Sequence, residues 1–192
     1  MLNWHDDPVP EVLFYARAYW RAAKTLAEHM PLDCGPQSDF DASPVIFLYR
    51  HAAELYMKGL ILGPGKKLLP DPPNEKEVCK DHSIRRLLPT LREVLIALDW
   101  TVDSDFGGFK SINDIEAALK DLDELDPVSF AFRYPITKDM RSSVPNQFQF
   151  SAAAFCKEMD AVCEAFECVR TGLYHKWGYM PQSGLIDDRE FL

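Results

Sequence analysis

The chain has 192 residues, 47% of them hydrophobic and 12% aromatic, which supplies one domain with a real core and excludes a disordered polymer. Its net charge of −9 argues against a general nucleic-acid binder. No run of about eighteen apolar residues exists to span a membrane.

The opening MLNWHDDPVP is acidic and lacks an apolar stretch, so no secretory signal is expected. Asp7 and Pro8 make a helix start, a capping carboxylate followed by a proline at the first helical position. After them Val12, Ala16, Tyr19, Ala23, Leu26 and Met30 recur at spacings of three and four, predicting an amphipathic first helix. Ser43 and Pro44 repeat the start signal for a second helix reaching about Leu62, apolar on most sides and therefore central. GPGKKLLPDPPNEKE reads as a proline-rich loop. It lacks the spacing of a phosphate loop and follows a helix rather than a strand.

Ser83 is placed to cap a third helix with Ile84, Leu87, Leu88, Leu91, Val94, Leu95 and Leu98 inward, and Pro89 is expected to kink or restart it. Ser111 with Asp114 resembles a capping box and opens a fourth helix with a heavily acidic outer face. The segment 126–147 is irregular and proline-punctuated, as a functional or docked connection would be. In the fifth and clearest helix Phe155, Met159, Val162, Phe166, Val169 and Leu173 form a seam, to be packed within the domain or across a dimer. That helix is expected to run to about His175, leaving 176–192 as a tail. The fold expected is all-α, a bundle of about five main helices forming a single domain over 1–192.

Chemistry is first limited by absences. The sequence has no HExxH, CxxC or GxSxG motif and no paired His/Cys set at zinc spacing, so neither a metal nor a cofactor is expected. The five cysteines, Cys34, Cys79, Cys156, Cys163 and Cys168, are odd in number, and three fall in one helix, so free thiols in a reducing cytoplasm are expected. Lys80, Arg85, Arg86 and Arg92 make a small basic region, opposed by Asp81 and Glu93.

Three constellations remain. His51, Glu54 and Lys58 lie three and four residues apart on the second helix, either as a solvent stripe stitched by a Glu54–Lys58 pair or as a polar patch facing another element. Phe132, Arg133, Tyr134 and Pro135 form either a ligand platform or a docking point, with Arg133 then bonding to Glu54. Arg170, Thr171 and His175 fall near the end of the last helix. There a histidine could move the proton between a ribose 2′-hydroxyl and the leaving oxygen, and an arginine could stabilise the phosphorane. Arg170 and His175 stand about 140° apart on a straight helix, so a joint site needs a helix end at Gly172 or a second copy of the chain.

RHAAELYMKG (50–59), HSIRRLLPTL (82–91), FRYP (132–135) and the Arg170–His175 spacing together resemble a HEPN domain, over roughly Pro44 to His175. The resemblance implies a helical, commonly dimeric fold. It also implies a metal-independent endoribonuclease, often a toxin or antiviral effector with an antitoxin partner. On that basis Arg170 would stabilise the phosphate, His175 would act as acid and base, and Thr171 would assist. The family usually places Asn, Asp or His after the motif arginine, where this chain has Thr171. The alternative expectation is a non-catalytic helical module that holds a protein partner or small ligand with His51, Glu54, Lys58, Arg133 and Tyr134.

Overall fold

A computed structural model describes residues 9–30, 36–100, 109–126, 129, 131–134, 136, 138–141, 143 and 151–177, without the side chains of 10, 36–41 and 174–177. Its helices are α1 (Val9–Glu28), α2 (Pro36–Leu60), a π-helical turn (Ile61–Gly65), the single turn α3 (Lys66–Leu68), α4 (Glu75–Lys80), α5 (Ile84–Ala97), α6 (Ile112–Leu125) and α7 (Ala152–Trp177). No β-strand occurs among the described residues, and no described helix is long and apolar enough to cross a membrane. The expected all-α bundle of five long helices is the fold that forms.

Local chemistry explains several boundaries. Ser83 caps α5, its Oγ accepting from the Arg86 N–H at 3.3 Å. Ser111 caps α6 in the same way through Asp114 N–H, while Asp114 Oδ2 accepts from Lys110 N–H at 2.9 Å, one residue before a capping box would place it. At the end of α5 Asp99 takes the left-handed conformation (φ 55°). There its N–H donates to Ile96 O and the Trp100 N–H to Leu95 O. This is a Schellman closure with Asp in the usual glycine position.

Other boundaries differ from the sequence reading. α2 begins at Pro36, well before Ser43, and runs through Pro44. Pro44 forfeits one backbone hydrogen bond, but Ala42, Val45, Ile46 and Tyr49 around it are buried, and that burial outweighs the lost bond. α5 likewise runs unbroken through Pro89. The expected loop after Leu62 is partly helical: ILGPG makes a buried π turn and Glu75–Lys80 a short helix capped by Asn74. Pro64 has no N–H to give the α-helical ladder, and the wider π turn accommodates it. A Cβ on Gly65 would stand 2.8 Å from Val94 Cγ2, so glycine lets α5 pack directly on this turn.

The core lies between α1, α2 and α7, with the α5–α6 hairpin closing against α2 and α7. Two polar rungs set the helix directions. Asp160 accepts from Tyr49 Oη (2.8 Å) and Trp20 Nε1 (2.7 Å), and Glu167 accepts from Tyr56 Oη (2.6 Å) and lies 3.7 Å from Arg17 Nε. Moving from the first rung to the second advances along both α2 and α7 but retreats along α1. α2 and α7 are therefore parallel and α1 antiparallel to both. Burial and the adjacent carboxylates push both tyrosine hydroxyls far above their ordinary range, so both remain neutral donors.

Candidate functional site

The polar stripe of α2 is not a solvent face. Arg50, Glu54 and Lys58, one turn apart, are all buried. Arg50 Nη1 donates to Glu54 Oε2 at 2.8 Å and Lys58 Nζ donates to Oε1 at 2.9 Å. Arg50 also donates to the main-chain oxygens of Asp126 (2.8 Å) and His82 (2.6 Å), and Lys58 donates to that of Cys79 (3.0 Å). His82 Nδ1 lies 2.9 Å from Glu54 Oε1. Burial pushes the Glu54 carboxyl up, but Lys58, His82 and Arg50 more than reverse this, so it titrates below the usual carboxylate range. The ionised carboxylate therefore accepts from His82 Nδ1–H, which leaves Nε2 at the rim, where the ring is 56% exposed.

This network holds three separate segments on α2: the end of α4, the α4–α5 connection and the turn after α6. Within that turn Asp126 Oδ1 accepts from Ala131 N–H at 3.1 Å, and Ser129 is left-handed (φ 57°). The turn delivers Arg133 to the surface above α2. There its guanidinium lies over the Phe47 ring at 5.5 Å and beside Tyr134 at 6.0 Å. The expected Arg133–Glu54 bond does not form; Arg50, closer in the helix, occupies that carboxylate. Ser143 Oγ donates to the main-chain oxygens of Ala131 and Tyr134 and fixes the far side of the loop. Tyr134 (52%), Ile136 (49%) and Met140 (77%) are exposed around it.

His51 does not join Glu54 and Lys58. It stacks on Phe47 (5.7 Å, 10°) and meets the edge of Tyr19 on α1 (4.5 Å). Burial and the positive charge of Arg133 press its pKa below the ordinary 6.5 against the pull of Glu54, so the ring is neutral at neutral pH. Of the predicted ligand residues, the structure thus separates a buried pair, Glu54 and Lys58, from a surface group, His51, Arg133 and Tyr134. Sequence reasoning assigned no role to Arg50 or His82. Arg50 stands four residues before Glu54, as Glu54 does before Lys58, and that repeated spacing was the available signal.

On α7 the Arg170 side chain is only 17% exposed. Nε donates to Glu167 at 2.9 Å, and the guanidinium lies over Phe14 of α1 at 5.6 Å. Thr171 is exposed. The helix continues through Gly172 to Trp177 without a break, so the positions of Arg170 and His175 stay about 140° apart; the His175 side chain lies outside the described residues. The seam from Phe155 to Leu173 is buried within the chain.

No cluster of His, Cys, Asp or Glu able to hold a metal occurs among the described residues. A shallow depression of about 830 Å³ runs along Ala18, Ala22, Leu26 and Leu48 and includes none of the candidate residues. Described cysteines are free: Cys163 buried, Cys156 and Cys168 half-buried, Cys79 exposed. Compared with known proteins, the chain matches no family model, no curated protein and no solved structure.

Proposed function

We propose that this chain is a helical binding module that holds a partner protein or small ligand against the loop of Arg133 and Tyr134. One observation carries the reading: an exposed arginine laid on an aromatic ring, framed by exposed Tyr134, Ile136 and Met140. The loop bearing it is anchored through Asp126 to the buried Arg50 network, so the platform is rigid at its base. Exposed apolar side chains on the same loop as a cation held over aromatic rings suit recognition, with the arginine and tyrosine as anchors. The competing ribonuclease reading asks Arg170 to leave both Glu167 and Phe14, and asks a second copy to supply the histidine.

A paired assay separates the two. Immobilised protein is expected to retain a defined partner that is lost on Arg133→Ala and kept on His175→Ala. Cleavage of mixed RNA in EDTA by the wild-type chain, abolished by His175→Ala, would overturn the binding reading in favour of the nuclease.

A further inference from the structure

We propose that Arg133 and His51 form a receptor for a carboxylate presented by a protein partner, an aspartate, glutamate or chain terminus set beside an apolar side chain. The inference rests on the binding reading above and names the chemistry of its occupant.

Counter-ions are abundant in this chain, with 30 acidic against 21 basic residues. Arg17, Arg50, Arg85, Arg86, Arg92 and Arg170 each lie within 4.0 Å of a carboxylate. Arg133 has no carboxylate partner among the described residues; its contacts are the rings of Phe47 and Tyr134. A guanidinium whose described contacts are rings alone keeps its N–H donors for another acceptor, in the fork geometry that matches a carboxylate. His51 has no hydrogen-bond partner for either ring nitrogen among the described residues, although its ring is half-buried against Phe47 and Tyr19. Its ring nitrogens are not among the buried unpartnered atoms, so they are open to an incoming group. Phe47 touches both groups, and the Arg133 charge is felt at the His51 ring, so the two belong to one neighbourhood on α2.

Charge count selects the occupant. A guanidinium without a carboxylate partner among the described residues suits a single negative charge. A nucleic-acid strand would bring many, against a chain of net charge −9. The exposed Tyr134, Ile136 and Met140 around the site require apolar surface on the same partner, which a peptide supplies and a free anion does not.

The test uses the full chain and three probes: a short capped peptide with glutamate between two leucines, the same peptide with glutamine, and a uridine oligonucleotide. Binding is read from the Arg133 Nε–H and His51 ring resonances. The glutamate peptide is expected to shift both saturably, and to bind about tenfold more tightly than the glutamine peptide. Arg133→Lys, which keeps the charge but loses the fork, is expected to weaken the glutamate peptide about tenfold with helical content unchanged. Equal affinity for the two peptides, or preference for the oligonucleotide, overturns the carboxylate receptor while leaving a binding surface at Arg133. Failure of all three probes to shift these resonances also overturns it, and retention of the captured partner by Arg133→Ala then removes the binding reading as well.

Discussion

At the scale of single residues, Glu54 organises the site. Its carboxylate stands between Arg50 and Lys58, and its loss would strand both cations among apolar neighbours. A buried pair adds little net stability against a hydrophobic replacement of the whole set, but breaking it by removing one partner costs about 3–5 kcal/mol. Glu54→Leu is therefore expected to lose that much in denaturant unfolding. Lys58→Met, which leaves Glu54 still bonded to Arg50 and His82, is expected to lose about 1–3 kcal/mol. Equal losses for the two variants would show that Glu54 is not the hub. The same carboxylate imposes a pH dependence. Its pKa in the folded chain lies below the ordinary 4.5, so at intermediate pH the unfolded chain binds the extra proton. The stabilisation is complete above the unfolded value and disappears as pH falls through the folded one. Unfolding free energy measured from pH 6 to pH 2 is expected to fall more steeply for the wild-type chain than for Glu54→Leu.

At the scale of elements, two glycines inside helices carry opposite expectations. A Cβ on Gly59 of α2 would stand 2.6 Å from Leu13 Cδ2 and 2.8 Å from Leu13 Cγ, closer than side chains allow. α1 approaches α2 there because glycine permits it. Gly59→Ala is expected to destabilise by about 1–3 kcal/mol despite the better helix propensity of alanine. Gly172 of α7 is exposed, with nothing among the described residues within 4 Å of its missing Cβ. Gly172→Ala is expected to stabilise by about 0.5–1 kcal/mol. Thermal melting of the two variants checks both signs, and a destabilised Gly172→Ala would mean that α7 does not run straight through that position. These elements also mark what was legible in the sequence. Ser83, Ser111 and the α7 seam were readable because each signal lies within a few residues of what it controls. The run of α2 through Pro44 and the π turn through Pro64 were not, because burial there overrode proline. The Asn74 cap of Glu75–Lys80 was a local signal that the proline-rich reading passed over. The partners of Arg50 lie 76 and 32 residues away, at Asp126 and His82, and no local pattern points to them. Arg133 was placed in a loop by the sequence, but its perch on Phe47 required the turn after α6 to be in place.

At the scale of the molecule, the decisive feature is where the α7 seam goes. It packs inside the chain: Phe166 is 1% exposed and lies 5.6 Å from the Tyr56 ring, and Tyr56 in turn donates to Glu167. Apolar packing and the two tyrosine–carboxylate rungs thus join α1, α2 and α7 into one cooperative unit, and this face of α7 is spent on the fold. Any assembly of copies must use other surfaces. Phe166→Ala is expected to cost about 3–5 kcal/mol, the usual range for emptying an aromatic site in a core. Because the contact is made within one chain, that loss is expected to be the same at protein concentrations about a hundredfold apart, whereas a seam between copies would make the unfolding midpoint rise with concentration. Denaturant curves for the wild-type chain and Phe166→Ala at both concentrations decide the matter. A difference between the two proteins that shrinks on dilution would place the seam at an interface between copies and bring Arg170 of one copy near α7 of another. A constant difference keeps Arg170 bound to Glu167 and Phe14 of its own chain and leaves Arg133, which has no carboxylate partner among the described residues, to meet a partner's carboxylate.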